Sequence, residues 1–591
     1  MHLLHRFRST RVAVPSRALP LALMLALLAG CGSTPLPPWP AKAPLPPVER
    51  GHVTPTAPLA TQPAPPAQPA IALPVPATWP AQAPSATLQV PTPGEPSAVT
   101  AHFPDPMVRY RTPGLADGRR AFTTNAELAD WLGVIASAQQ GAGTRTELLH
   151  LGPSQQGEPI LGLVITRANG TTPDALEASH RPTVLLLAQQ HGDEPAGAEA
   201  LLVLAQELAG GLLEPLLDRI NVVLVPRANP DGAETGTSAT ASGVDMAKDH
   251  LTLSTPEARA IATLTRDYRP ILVLDAREFQ AAGALTEQFG AVQSDDALLQ
   301  YATAANVPEF LSKAAREWYY EPMAASLNTE RLRNDWYFEP VAGAGRDRVA
   351  GGSVLPESVR NASGLKDAVG FVVASRGVGL GREHIQRRVH TLVTAISSAL
   401  RSTAERSSNL DQVRSFVARD TRALACHGQV VVQAVPTPAQ RDIELLDAQS
   451  GVERTEHVSW DSPLKLRTTT ARPRPCGYWL AARADNVVDR LKLLGVQVMR
   501  VAEPGSILAD SYDQTGTSAT GQAPQVQLRR NAIDVPVGSY YVPLNQPLAN
   551  LAVAALEPDS PAGYIARQVI EDVSEVARIV STPSLVFEES N

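Results

Sequence analysis

The sequence has few cysteines, no excess of basic residues and few long apolar runs. Three cysteines in 591 residues exclude a dense disulfide scaffold. Lysine and arginine total 51 against 59 acidic residues, so the chain lacks the basic excess of nucleic-acid-binding proteins, and we expect no nucleic-acid partner. The chain is too long for a single hydrophobic core, which predicts two folded domains plus tails.

The one marked apolar run near the N-terminus is too short to span a bilayer comfortably. It covers 13 residues, Ala18 to Gly30, behind four arginines, whereas a spanning helix needs about 20 residues. The run ends in Leu28-Ala29-Gly30-Cys31, which resembles the lipobox of bacterial lipoproteins. Residues 1–31 are therefore predicted to be a lipoprotein signal peptide, with Cys31 as the lipidated residue. An ordinary signal peptide with an incidental cysteine is the alternative.

Lipidation at Cys31 would place the protein in the cell envelope. Several acyl chains on one cysteine anchor a protein stably, whereas a single chain binds only marginally. Gly32 follows the cysteine where another sorting signal would carry Asp. By resemblance to the sorting of such lipoproteins, this favours the outer membrane, with the chain facing the periplasm.

Proline is abundant but unevenly distributed. Twenty of the 52 prolines lie between residues 33 and 96, among alanine and threonine. Such a segment buries too little apolar surface to fold, so residues 32–100 are predicted to form a disordered stalk. A role for the prolines as a ligand motif is the alternative.

The two remaining cysteines, Cys426 and Cys476, both fall in the C-terminal region. In an exported protein two cysteines favour one disulfide bond. Two free buried thiols are the alternative.

Apolar runs alternate with helical patterns from about residue 101. The runs at residues 159–166, 183–189, 220–226 and 271–275 are rich in Val, Ile and Leu without strict alternation, as strands buried on both faces require. Helical patterns lie between and after them. We therefore predict an α/β domain over residues 101–405, with a mainly parallel or mixed sheet flanked by helices. Residues 406–591 are predicted to form a smaller β-rich accessory domain.

A His-x-x-Glu spacing follows the second of these predicted strands. His191 and Glu194 lie between that strand and a helix, at the sheet edge where open α/β folds place their sites. An imidazole and a carboxylate at this spacing can bind one cation. The spacing alone is weak evidence. It gains weight because Asn229-Pro230-Asp231-Gly232 follows the next strand, and Gly243-Val244-Asp245 comes after it.

These segments, in this order and spacing, resemble the zinc carboxypeptidases of the carboxypeptidase A type, over about residues 102–402. The resemblance implies one zinc held by His, Glu and a later His, a Glu as general base, and Arg and Asn side chains that bind the substrate. On this resemblance His191 and Glu194 stand at the first two ligand positions. Asp245 stands where a carboxylate orients the first ligand. Asn229 and Lys248 are the candidate substrate-binding residues.

The other positions that the family uses for chemistry have changed. The third zinc ligand should be a His, but Arg277 occupies that position in the segment Asp275-Ala276-Arg277-Glu278. Ala374 stands at the position of the general base. Ala247-Lys248 replaces the Asn-Arg pair that binds the substrate carboxylate. Ser238 is the best match for the Arg that polarises the scissile carbonyl, because residues 233–242 contain no arginine.

An arginine at the third ligand position opposes metal binding. Its guanidinium offers no lone pair, and at about 4 Å it would repel a dication by roughly 8 kcal/mol at an effective dielectric near 20. We therefore expect Arg277 to replace the metal by pairing with Glu194. An exposed Arg277 beside an empty cleft is one alternative. Zinc binding with His250 as a substitute third ligand is another.

The sequence thus predicts a pseudo-peptidase, a carboxypeptidase-like protein that binds a peptide or a cell-envelope component without hydrolysing it. Zinc would be a cofactor only of an active protein. Two alternatives keep the metal: a working metallocarboxypeptidase with an atypical zinc site, and a related deacylase. Metal content distinguishes all three. No catalytic constellation occurs beyond residue 405, where we expect a stabilising or partner-binding role.

Overall fold

A computed structural model describes residues 95–138, 143–341, 347–516 and 523–589. The predicted signal peptide, Cys31 and the stalk up to residue 94 lie outside these ranges. Contacts divide the chain into residues 1–85 and a compact unit that spans Ala86–Asn591. Across the described ranges, every helix is too short or too polar to cross a membrane.

The described residues contain strands that belong to three sheets. In chain order they are β1 (Arg145–Pro153), β2 (Pro159–Thr166), β3 (Thr183–Ala188), β4 (Asn221–Val225), β5 (Leu272–Gln280), β6 (Ala291–Gln293), β7 (Ala297–Tyr301), β8 (Asn334–Trp336), β9 (Glu339–Pro340), β10 (Arg348–Ala350), β11 (Val369–Val378), β12 (Gln429–Asp447), β13 (Glu453–Pro473), β14 (Gly477–Leu480), β15 (Met499–Arg500), β16 (Gly505–Gln514), β17 (Val526–Val535), β18 (Tyr540–Pro543) and β19 (Val576–Ile579).

The helices are distributed over the whole described chain. They are α1 (Ser97–Thr100), α2 (Asn125–Ser137), α3 (Pro173–Ala178), α4 (Pro195–Gly210), α5 (Pro230–Thr235), α6 (Pro256–Tyr268), α7 (Ala284–Phe289), α8 (Glu309–Ala314), α9 (Glu321–Thr329), α10 (Val359–Gly364), α11 (Ile385–Glu405), α12 (Ser407–Ala423), α13 (Asp485–Leu493) and α14 (Ala549–Leu556). A π-helical turn, Ala315–Tyr320, joins α8 to α9.

An eight-stranded mixed sheet forms the centre of the α/β region, in the order β1-β2-β4-β3-β5-β11-β7-β8. The neighbours β4-β3-β5-β11 are parallel, as are β7 and β8, whereas the pairs β1–β2, β2–β4 and β11–β7 are antiparallel. Every residue of β3 and β4 is buried, which explains why their sequences are continuous apolar runs. The predicted α/β class with a mainly parallel or mixed sheet is confirmed, and β5 runs five residues further than predicted.

The C-terminal region is β-rich, as predicted, and has two sheets. One has the order β6-β12-β13-β10-β9 and is built on the long hairpin β12–β13, and the other has the order β15-β18-β14-β19-β16-β17. The predicted disulfide between Cys426 and Cys476 is present. Helix α12 was not predicted, although its apolar residues Leu410, Val413 and Val417 recur at helical spacing and are buried.

Packing crosses the predicted boundary at residue 405. Strand β6 pairs with β12, and β10 pairs with β13, so one sheet combines strands from both sides. One apolar core joins Leu251, Leu253 and Ala258 to Tyr478 and Leu491. The division into domains at residue 405 stays a prediction.

The folded body begins before the predicted position, Ala101. Residues 97–100 form the short helix α1. Val99 and Phe103 are buried against Val292 and Leu446. The last residues of the predicted stalk, from Glu95, therefore pack on the body.

Candidate functional site

The loop after β3 is held in place by the loop after β4. Gly192 lies so close to Gly232 that a Cβ atom on Gly192 would come within 1.9 Å of the Gly232 carbonyl carbon. Asn229 caps α5 by accepting from the Gly232 N–H, and its amide nitrogen donates to the carbonyls of Gln190 and Ala239. Glycine at position 192 is therefore required by the close approach of the two loops that carry the motifs.

Glu194 lies at the start of α4, and Arg277 reaches it from β5. The Arg277 Nε donates to Glu194 Oε2 at 2.7 Å, and Nη2 lies 3.0 Å from Oε1, so the pair is bidentate. The Glu278 main-chain N–H donates to the same carboxylate at 3.0 Å. The Glu194 side chain is 3% exposed and that of Arg277 16%. The expected pairing of Arg277 with Glu194 is present, and the alternative of an exposed Arg277 is wrong.

His191 completes the cluster and connects it to Asp245. Its Nε2 lies 2.8 Å from Asp245 Oδ1, as expected for a carboxylate that orients the imidazole. Its Nδ1 lies 2.9 Å from Glu194 Oε1 and 2.7 Å from Arg277 Nη2. Arginine can only donate, so Nδ1 cannot both donate to Glu194 and accept from Arg277.

The flanking carboxylates decide the protonation of His191. Burial and the neighbouring Arg277 lower the pKa of His191, but hydrogen bonds to Asp245 and Glu194 outweigh them and raise it to about 9. We therefore favour the imidazolium, in which Nδ1–H donates to Glu194. In this state His191 and Arg277 together carry two positive charges, the same charge as a divalent cation.

The carboxylates of the cluster are ionised. Burial raises the pKa of Glu194, but the opposite effect of Arg277 and His191 is larger and lowers the pKa to about 2. Burial likewise opposes ionisation of Asp245, whose pKa nevertheless falls below its usual range because of His191 and Lys248. Arg277 loses solvation on burial, yet Glu194 and Asp275 hold its pKa well above its ordinary value. The cluster is thus internally charge-compensated.

The residues present do not fit a zinc ion at the family's position. Ligand atoms of His191, Asp193 and Glu194 lie within 4.8 Å of one another, so the donors alone could hold a cation. The Arg277 guanidinium, however, is hydrogen-bonded to Glu194 and lies against His191, where the third ligand should be. His250 is buried and hydrogen-bonded to Gln190 instead. It lies outside this group of ligand atoms.

Strand pairing brings the other altered position next to Arg277. Ala374 in β11 is the register partner of Arg277 in β5. Ala374 is fully buried in an apolar cluster with Phe338 and Trp460. The position of the predicted general base is therefore a methyl group inside the core, with no titratable atom.

The predicted substrate-binding residues are placed differently from one another. Lys248 is 60% exposed and pairs with Asp245 at 2.9 Å, so it is available at the mouth of the site. Ser238 is exposed, and Ala247 is buried. Asn229 is fully buried and its amide bonds to main-chain groups, so its predicted contact with substrate is corrected to a role in positioning the loops.

Sequence reasoning missed two acidic groups beside the cluster. Asp193 belongs to the same loop, and burial, then Glu194, raise its pKa. Asp275 is buried, has one oxygen 3.5 Å from Arg277 Nη1, and has a raised pKa because of burial. Its Oδ1 atom has no hydrogen-bond partner among the described residues. Both residues belong to the sequence motifs described above, but only the folded structure shows that they lie close to Arg277.

Sequence comparisons agree with the motifs. Residues 132–270 match the sequence model of the zinc carboxypeptidase family. The chain is 26% identical over 419 residues to Carboxypeptidase 2 of Trichophyton tonsurans, covering 66% of this chain and 75% of that protein. It is 36% identical over 113 residues to Carboxypeptidase D of Mus musculus, covering 17% and 8% of the two chains. A metallo-carboxypeptidase structure from Pseudomonas aeruginosa aligns with 18% identity and a TM-score of 0.35, covering 48% of this chain and 69% of that one.

The sequence matches and the geometry of the loops after β3 and β4 define the class of this protein. It is carboxypeptidase-like, and residues 132–270 are similar to the zinc carboxypeptidase family. Zinc is the metal that this family implies for an active member.

Proposed function

We propose that this carboxypeptidase-like protein is a pseudo-peptidase that binds a peptide or a cell-envelope component without hydrolysing it. The observation that carries the proposal is the Arg277 guanidinium bonded to Glu194 and lying against His191, at the position of the third zinc ligand. A cation fixed to the protein chain competes with a metal ion for these two residues. It cannot activate water, because it has no coordination position to offer.

The missing groups support the same conclusion. Ala374 has no proton acceptor, and loss of a general base typically costs about 10²–10⁴ in rate. Loss of one donor to the developing oxyanion typically costs about 10²–10³. The losses do not add, because such residues act as a unit. One replacement could be compensated, but changes on β5, on β11 and in the loop that carries Ser238 are hard to compensate together.

The proposed binding face is the open side of the cluster. The side chains of Lys248, Asp245 and His191 are 60%, 35% and 19% exposed. Lys248 would attract a peptide carboxylate as a point charge, without the bidentate geometry of an arginine. The names of the relatives, which are carboxypeptidases, make a peptide the first ligand class to test.

The proposed setting is the bacterial envelope, with Cys31 lipidated and the folded body in the periplasm. The support is the sequence alone: the arginines, the apolar run and the Cys31 segment at its end. Metabolic labelling with a radioactive fatty acid tests this part. The expected result is label in the wild-type chain and none in Cys31→Ser, and label in both would contradict it.

The test of the site measures zinc and hydrolysis in the full-length chain. After dialysis with zinc, we expect no metal that depends on His191 and no release of C-terminal residues from peptides. The variant Arg277→His should gain zinc that is lost again in Arg277→His/His191→Gln. It should remain inactive, because Ala374 still lacks a base. Arg277→Gln is the matched control, since it removes the charge without supplying an imidazole.

Three results would overturn the proposal. Zinc held by the wild type and lost in His191→Gln would show that Arg277 does not replace the metal. Peptide hydrolysis by the wild type that His191→Gln abolishes would establish the alternative, an active metallocarboxypeptidase. Hydrolysis of an amide that is not a peptide bond, with the same dependence, would establish the related deacylase.

A further inference from the structure

A second group of metal-ligand side chains lies where the N-terminal segment meets the start of α11. Glu95, Glu383 and His384 each offer a ligand atom, and these atoms lie within 4.8 Å of one another. The Glu95 main-chain N–H also donates to Glu383 Oε2 at 3.3 Å. The group includes none of the residues that carry the resemblance to the carboxypeptidases.

His384 distinguishes this group from an ordinary acidic patch. Its side chain is 10% exposed, and Nε2 lies 3.7 Å from Glu95 Oε2, beyond hydrogen-bond distance. Nε2 is buried and has no hydrogen-bond partner within the described ranges. A buried imidazole nitrogen without a partner costs free energy, unless something binds to it.

The position of His384 Nε2 suits a metal ligand. This atom is buried, has no hydrogen-bond partner among the described residues and lies 3.7 Å from Glu95 Oε2. Neutral imidazole nitrogens are the commonest metal ligands in proteins.

We propose that Glu95, Glu383 and His384 form a binding site for a divalent transition-metal cation, zinc foremost. One imidazole and two carboxylates are donors that zinc accepts, whereas calcium and magnesium prefer oxygen alone. Three protein ligands leave a fourth position for water. Tetrahedral zinc needs donor atoms about 3.3 Å apart. The ligand atoms here lie within 4.8 Å of one another, so the side chains would move closer together on binding.

Arg376 sets the charge of this site. Its guanidinium pairs bidentately with the Glu95 carboxylate, and its Nε donates to the Gln293 carbonyl at 3.1 Å. Each carboxylate oxygen has two lone pairs, so Glu95 can bond to Arg376 and to the metal together. Two carboxylates and one guanidinium leave a net charge of −1, which favours a cation. At the His191 site, by contrast, the guanidinium lies where the metal should be.

Binding would fasten the N-terminal segment to the body. Glu95 is 288 residues from Glu383 in the sequence, and it enters the body just before α1. A metal shared by the two segments would close that long loop and stabilise the folded body at its junction with the predicted stalk. The site requires no activity at the His191 cluster, so this inference does not rest on the proposed function.

The experiment is a titration of the dialysed full-length chain with zinc chloride by calorimetry, with magnesium chloride as the oxygen-preferring comparison. The His191→Gln background excludes the other candidate position. We expect one zinc per chain in this background, a rise in Tm with zinc, and no comparable response to magnesium. His384→Asn removes the imidazole but tolerates the left-handed backbone at this residue, where φ is 55°.

His384→Asn and Glu95→Gln should each weaken zinc binding at least about tenfold. Loss of a residue that only hydrogen-bonds to a metal ligand already lowers metal affinity by about that factor. His102→Gln, an exposed histidine in the same segment, is the matched control and should change nothing. Failure of the His191→Gln chain to bind zinc, or unchanged binding in His384→Asn, would overturn this site and leave Glu95 and Arg376 as an ion pair only. If the wild type binds zinc and the His191→Gln chain does not, the proposed function is overturned as well as this site.

Discussion

Two buried glutamates, Glu194 in the α/β region and Glu557 in the C-terminal region, are both held by arginine. Glu557 accepts from Arg472 Nη1 at 2.8 Å, from Arg578 Nε at 2.9 Å and from the Tyr478 hydroxyl at 2.7 Å. Its side chain is 0% exposed and that of Arg578 2%. The partners of Glu194 are more exposed: Arg277 is 16% and His191 19% exposed.

The difference separates an ion pair that belongs to packing from one that belongs to a site. Around Glu557, tyrosines and arginines from the four strands β13, β14, β16 and β19 enclose the charge inside the core. Around Glu194, one side of the cluster stays open to solvent through His191 and Lys248. Buried ion pairs are weak evidence for stability, but removal of one partner is costly in proportion to how completely the other is enclosed.

The largest expected effect is the loss of the Glu557 charge. Glu557→Gln leaves Arg578 buried with a neutral partner, so we expect the free energy of unfolding to fall by about 3–5 kcal/mol. Urea unfolding followed by circular dichroism measures it. Glu503→Gln, at an exposed loop position, is the control and should stay within about 0.5 kcal/mol. A loss below about 1 kcal/mol for Glu557→Gln would remove the contrast between the two clusters.

The second largest effect is a loss of stability at low pH, caused by His250 in the α/β region. Burial lowers the pKa of His250 from 6.5 to about 4. Between pH 6.5 and pH 4 the histidine is protonated in the unfolded chain but neutral in the folded one. Acid therefore favours unfolding: the free energy of unfolding is unaffected by His250 above pH 6.5 and falls as the pH drops towards 4. The loss is about 3 kcal/mol. His250→Gln keeps a donor for Gln190 and should flatten the unfolding free energy between pH 7 and pH 4 by that amount. Equal acid sensitivity in both chains would contradict this expectation.

A smaller effect is expected at Glu194 itself. Glu194→Gln removes charged hydrogen bonds to Arg277, but Asp275 and partial solvent access remain, so we expect a loss of about 2 kcal/mol. The same urea experiment applies. If Glu194→Gln costs as much as Glu557→Gln, the two clusters are equivalent, and the α/β cluster is a structural element like the other.

The smallest effect on stability is expected at Lys248. Its ion pair with Asp245 is largely exposed, so Lys248→Ala should change the unfolding free energy by less than about 0.5 kcal/mol. Binding of peptides with a free C-terminal carboxylate should nevertheless weaken several-fold, which fluorescence anisotropy would show. Amidated peptides are the control, and a variant that binds both peptides like the wild type would exclude Lys248 from the proposed binding face.

Local patterns predicted the sheet and the altered ligand position. Buried apolar runs located β2, β3 and β4, and the Asp275–Glu278 segment alone identified Arg277 at the altered ligand position. The pairing with Glu194 also followed from charge alone, since a buried carboxylate needs a partner. The amphipathic spacing of α12 is also present in the sequence and is sufficient to predict this helix.

The remaining parts of the site depend on contacts between distant segments. Asn229 belongs to a motif that is similar to one in the zinc carboxypeptidases and was predicted to bind substrate. In the structure its amide donates to the carbonyls of Gln190 and Ala239 instead. The group of Glu95, Glu383 and His384 joins residues 288 positions apart, which no spacing rule connects. The burial of Ala374 in one apolar cluster with Phe338 and Trp460 likewise joins distant segments, since Trp460 lies on the hairpin β12–β13.

The register of β5 against β11 determines how the substitutions at positions 277 and 374 could be reversed in evolution. Arg277 and Ala374 are partners on adjacent parallel strands. A glutamate regained first at position 374 would meet the guanidinium and form another ion pair with it, which makes the arginine harder to replace. A histidine regained first at position 277 would recover a ligand but no catalysis, so selection for hydrolysis would not detect it. For the pseudo-peptidase proposed above, each single step back towards a peptidase would therefore be neutral or unfavourable, because the paired positions 277 and 374 must change together.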